Sequence, residues 1–156
     1  MISPKRAFKS ERGAELIEFA LVFPLLLFVV LGIVDFGLMF QRMEVVTNAA
    51  REGARIAVLP GYSVADVKDR VCDYVQGGGV PMTPAQCLLD ANISVTNVTI
   101  SAGAVPMPGK RVGVTFPHQF MFIGGLASWF GGGTSFGTVP VNSVAIMRDE
   151  VPVAAP

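Results

Sequence analysis

Histidine and cysteine are nearly missing from this chain, which has one His and two Cys in 156 residues. That leaves little material for a metal site or a histidine-based catalytic centre. Charge is scarce as well. Asp, Glu, Lys and Arg make up 15% of the residues, against about 25% in an ordinary soluble domain. The formal net charge is +0, so no basic excess is left to hold nucleic acid by counterion release. The glycine clusters at 77–79 and 131–133 lack the G-K-[ST] ending of a phosphate loop. No cofactor and no small-molecule substrate are expected. What the chain does have is apolar surface: 51% hydrophobic residues and a mean hydropathy of +0.54. The composition predicts a membrane protein without catalysis of its own.

The charges are unevenly placed. Lys5, Arg6, Lys9 and Arg12 precede residues 19–40, an apolar run whose one charged residue is Asp35. As a helix that run is about 33 Å long, enough for the ~30 Å hydrocarbon core of a bilayer. A secretory signal has a shorter apolar core that ends at an A-x-A site. No such site interrupts the run, which predicts a retained anchor. Arg42, Arg51 and Arg55 follow the run, and the short N-terminus tips that end toward the cytoplasm. Asp35, near the outer end of the span, is expected to be a solvated boundary charge, with a partner contact as the rival reading.

Helical signal continues past the run. Met43, Val46, Ala50, Ala54 and Ala57 recur every three or four residues, an apolar face of small side chains, stopped by Leu59-Pro60-Gly61. Anchor and extension predict one rod of about 40–45 residues, on the order of 65 Å. A second helix has Ser63 as its N-cap with Asp66 as capping-box partner. Val64, Val67, Val71 and Val75 line one face of it, and the 77–79 cluster ends it.

Strands follow. Ala91, Ile93 and Val95 alternate, and Val98 and Ile100 continue in the opposite phase, which predicts a bulge near Thr96-Asn97. Val112, Val114 and Phe116 form a second run. Val139 and Val141, then Val144 and Ile146, form a third with the same shift of phase. The expected fold is α+β: a long N-terminal transmembrane helix extended outside the membrane, a short second helix and a small antiparallel sheet. The expected division is a basic leader at 1–13, a transmembrane helix at 14–40, its continuation at 41–59 and an exterior domain at 60–156.

In an oxidising exterior Cys72 and Cys87 can bridge, closing about 15 residues and stabilising the domain by roughly 3 kcal/mol in the loop-entropy model. Two free thiols are the alternative. Residues 116–130 are apolar, aromatic and broken by glycine, suiting a loop that dips into the bilayer surface, a partner-binding patch or packing against the long helix. His118 is expected to be structural. Asn92 and Asn97 sit in glycosylation-type triplets and are read as polar strand positions.

The segment Glu11-Arg12-Gly13-Ala14-Glu15-Leu16-Ile17-Glu18-Phe19 carries the most information. Alone, Glu18 reads as an interfacial charge that reaches back to water. A glycine, four residues, then Glu and an aromatic residue resembles the type III signal of pseudopilins. With the proline-bearing run after Phe19 and the block Asn48-Ala49-Ala50-Arg51-Glu52-Gly53-Ala54-Arg55, the chain resembles the TadE-like family of the tight-adherence (Tad, or Flp) pilus system. The resemblance covers residues 12–58 and, faintly, Met147-Arg148-Asp149-Glu150.

That resemblance implies a pilin-like minor pseudopilin that takes part in assembling a type IV pilus for surface adherence. A prepilin peptidase would cut between Gly13 and Ala14, leaving Glu18 fifth from the new N-terminus. The implied partners are the bacterial inner membrane, that peptidase and other pilin or pseudopilin subunits. The amine of a neighbouring subunit would pair with Glu18 beside Phe19. Pro24 cannot donate its backbone N–H and would bend or loosen the helix. The implied location is single-pass, with the N-terminus cytoplasmic and the C-terminal domain periplasmic or extracellular. The competing expectation is a single-pass signal-anchored envelope protein with a partner-binding exterior domain.

Overall fold

The structure is a computed structural model that describes residues 8–101, 106–129 and 138–149. Lys5, Arg6, Phe130, the 131–133 glycine cluster and Glu150 lie outside the described residues. Helix α1 runs from Phe8 to Ala57, 50 residues or about 75 Å. It exceeds the expected rod because it begins on the N-terminal side of Gly13 and passes through that residue without a break. Pro24 lies inside it.

Helix α2 spans Val64–Gly77 and opens on the expected capping box, in which the Ser63 hydroxyl accepts from the Asp66 N–H and the Asp66 carboxylate accepts from the Ser63 N–H. The chain leaves α2 through Gly79, whose φ of +77° belongs to the left-handed region that glycine enters without strain. A short helix, α3 (Pro84–Cys87), repeats the capping box with Thr83 and Gln86. Strand β1 (Ile93–Ile100), strand β2 (Met107–Gln119), helix α4 (Phe122–Trp129) and strand β3 (Thr138–Arg148) complete the order. The α+β class is as expected; α3 and α4 add to it.

The three strands form one antiparallel sheet in the order β1-β2-β3. Pairing runs unbroken from Ile93 opposite Val114 to Ile100 opposite Met107, and from Gly109 opposite Arg148 to Gln119 opposite Thr138. Neither expected bulge exists. The shift of phase has another cause: Val144 and Ile146 point away from the core and are 48% and 53% exposed. Pro117 lies beyond the part of β2 that pairs with β1, where a missing N–H is tolerated.

The other face of the sheet rests on the C-terminal third of α1, with α2 beside it. Val46, Ala49, Ala50 and Ala54 of α1 meet Val67, Val71, Val75, Ile93, Val112 and Val114, none more than 1% exposed. Burying each of those larger side chains is worth about 1.5–3 kcal/mol. Met43 and Val64, read as members of these faces, are instead half exposed, and Ala49 takes a place in the core. The helix can approach this closely because its seam is small. A Cβ added at Gly53 would collide with the Val71 side chain and press on Val112.

Candidate functional site

The chemistry is carried along α1, beginning with its N-terminal portion. Between Gly13 and Ala57 the helix contains an 18-residue window of mean hydropathy 2.8, with 0% of it buried inside the chain. Leu16, Ile17, Phe19, Leu21, Leu25 and Leu26 are each more than half exposed. Apolar surface of that extent needs lipid or another chain around it. By length and composition it points to single-pass membrane anchoring.

At the N-terminal end of this surface stand the residues read as a processing signal. Gly13, Ala14, Glu18 and Phe19 are all helical and exposed. Ala14 and Glu18 are four residues apart and so share one face of α1. Among the described residues Glu18 has neither a hydrogen-bond nor an ion-pair partner. Phe19 stacks on Phe23 one turn further, with ring centroids 5.3 Å apart.

At the upper end lies Asp35, which overturns its expected solvated state: it is 1% exposed. Its Oδ1 accepts from the Met121 N–H at 3.1 Å, and its Oδ2 from the Phe122 and Ile123 N–H groups at 2.9 and 2.8 Å. These are the amides that a helix start leaves without intrahelical partners. Asp35 therefore caps α4 from 86 residues away and pins the aromatic segment to α1. Phe120 adds an edge contact to Phe36, at 5.5 Å between centroids.

Two turns along α1, Arg42 reaches His118 on β2, with Nη1 3.0 Å from Nδ1. A guanidinium can only donate, so Nδ1 accepts and the imidazole proton sits on Nε2. The ring is 1% exposed. Burial first, and the Arg42 charge second, hold the imidazole below the ordinary histidine range, while the Asp35 charge opposes them. The histidine is buried and structural, as expected. Arg42 also lies 5.9 Å over the Phe116 ring. Nothing local in the sequence links Asp35 and Arg42 to the two ends of one short β2–α4 segment, because the contacts that do so bridge 76 to 88 residues of chain.

The far end of the domain is held by polar and covalent links. Cys72 and Cys87 form a disulfide with their Cα atoms 5.7 Å apart. Lys68, 8% exposed, donates to the Leu88 carbonyl at 2.9 Å and pairs with Asp90. Glu52 bridges Arg55 and Arg70 on the surface, and the hydrogen bond from Arg55 holds its carboxyl below the usual glutamate range. Among the described residues there is no cluster of three or more potential metal ligands.

The geometry defines an α+β protein in which a second helix and a small sheet are built onto the C-terminal third of one long helix, whose exposed apolar N-terminal portion suggests single-pass membrane anchoring. The family model described as TadE-like protein matches residues 13–55, which span the signal, the apolar run and the small-residue seam. The resemblance read from the sequence is thus shown over that segment. No curated protein and no solved structure shows significant similarity to the chain.

Proposed function

We propose that the protein is a minor pseudopilin, inserted with its N-terminus in the cytoplasm of a bacterial inner membrane, trimmed between Gly13 and Ala14 and used in assembling a Tad (Flp) pilus for adherence. The observation that carries this reading is the Glu18 carboxylate, which has no partner among the described residues, is exposed on the lipid-suited part of α1 and shares a face with Ala14. A carboxylate at the bilayer centre costs about 2.5–3.5 kcal/mol on insertion scales, and less near an interface, so Glu18 at the edge of the apolar run still favours a cationic partner. The amine freed at Ala14 of a neighbouring subunit is such a partner, and the pair would set the axial register between packed rods. Pro24, six positions above Glu18, serves the same packing by loosening the helix among its neighbours. The exterior domain, from residue 60 onward, would then be the part that faces other pilin or pseudopilin subunits.

The Gly13–Ala14 bond lies within α1, so the peptidase must unwind the first turns before cutting. Glycine lowers the cost of doing so by about 1 kcal/mol relative to alanine. N-terminal sequencing of membrane-extracted protein tests the reading. A chain beginning at Ala14, formed only when a prepilin peptidase is present, is expected, and Gly13→Leu should leave the full-length chain in the membrane. An intact N-terminus beside a working peptidase would favour the signal-anchored envelope protein instead.

A further inference from the structure

The contact between Asp35 and α4 reaches further than an internal cap. Asp35 belongs to the apolar run at 19–40, five residues short of its end, and α4 does not rise from it toward the domain. The groove between the two helices, about 390 Å³, is lined by Pro24, Phe28 and Gly32 on one side and by Met121, Ile123 and Gly125 on the other. Phe28 stands about 10 Å, and Pro24 about 16 Å, from Asp35 along the helix axis toward the N-terminus. Helix α4 therefore lies against the part of α1 that the anchor reading places in hydrocarbon.

We infer that Phe120, Met121 and α4 form a re-entrant segment that enters the lipid leaflet on the domain's side and lies there against α1. This rests on the membrane-anchoring reading of α1. The occupant of the surrounding surface is lipid acyl chain, for two reasons. The apolar surface is continuous: Met121 at 65% and Phe122 at 39% exposure extend that of Leu27 and Phe28, exposed at 42% and 43%. The polar groups are also settled as that depth requires. Irregular backbone and a helix start are admitted to hydrocarbon only when their N–H groups are satisfied by the protein. The residues before α4 are Phe120 and Met121, which offer no side-chain cap, and Asp35 supplies one. A lone carboxylate is equally unfavourable there, and three amides satisfy it. At this depth each liability cancels the other, whereas in water either group would be hydrated without help.

The single tryptophan of the chain, Trp129, ends α4 and reports on its surroundings. The full-length chain is reconstituted into phosphatidylcholine–phosphatidylglycerol vesicles, with and without acyl-brominated lipid. The expected result is loss of Trp129 emission with brominated lipid and little loss with aqueous acrylamide. Quenching by acrylamide alone would overturn the inference by placing α4 in water. Protection from both quenchers would overturn it by covering α4 with protein, either a second copy or another subunit. A companion variant, Leu25→Trp with Trp129→Phe, reads the anchor separately. If its emission is lost to brominated lipid while that of Trp129 is not, the anchor stands and the re-entrant segment falls. If neither responds, the anchoring reading fails and the inference goes with it. Asp35→Ala should move Trp129 toward acrylamide access and leave the Leu25→Trp signal unchanged.

Discussion

One helix carries two kinds of surface, and the contrast between them explains most of the molecule. From Gly13 to Phe40, α1 presents large side chains, Leu, Phe, Ile and Val, and the chain itself covers few of them. From Val46 to Ala54 it presents Val, Ala and Gly, and Val46, Ala49, Ala50 and Ala54 are wholly buried. Where the chain does the covering, small residues let α2 and the sheet come close. Where the covering must come from outside, large residues offer area and demand no fixed partner. Asp35 is the exception in the first portion. It is buried by the chain's own α4 and fully hydrogen-bonded.

The comparison is most easily broken at Gly53. Gly53→Leu should destabilise the domain by about 3 kcal/mol or more, the upper range for overpacking, since even a Cβ there meets Val71. Thermal unfolding of the full chain in detergent, followed by near-ultraviolet circular dichroism, measures it. An unchanged midpoint would mean that the seam is not close-packed.

A smaller effect is expected on acidification. The buried His118 binds its proton less readily in the folded chain than in the unfolded one, whose ordinary value is 6.5. Between that value and the lowered one the unfolded chain holds more protons, so stability is full above pH 6.5 and falls as the pH drops through the interval. His118→Gln keeps an acceptor for Arg42 and should flatten this part of the profile. What remains is the loss from Glu52 and Asp66, whose carboxyls are held below 4.5 and 3.8 by Arg55 and Ser63 respectively. Unfolding midpoints taken across the pH range check both limbs.

The smallest effect belongs to the anchor. Leu25→Ala removes a large side chain that is 66% exposed, and should shift domain stability by no more than about 0.5 kcal/mol. A loss as large as a core truncation would show that the chain covers its own anchor after all, and would erase the distinction between the two portions.

What could be read before folding follows the same division. The apolar run, the rod and the Ser63–Asp66 box are set by local composition and by spacings of three and four, so the order of the two longest helices and the three strands was legible. The expected bulges were not real, because an alternation that changes phase looks the same whether the backbone slips or apolar residues such as Val144 and Ile146 turn outward. Helix α4 was hidden by its glycines, which favour a loop in any local reading. Its cap was hidden by distance, since nothing near Asp35 in the chain announces amides that arrive 86 residues later. Gly53 was visible as part of a small-residue block, but its role depends on Val71 and Val112, which only the tertiary approach brings near.

The disposition of Asp35 has a mechanical consequence. Because one carboxylate on α1 grips three consecutive amides, the two helices form a single draggable piece. An axial pull on the rod would carry α4 and the sheet together, because both are fastened to α1, the one through Asp35 and the other through the small-residue seam.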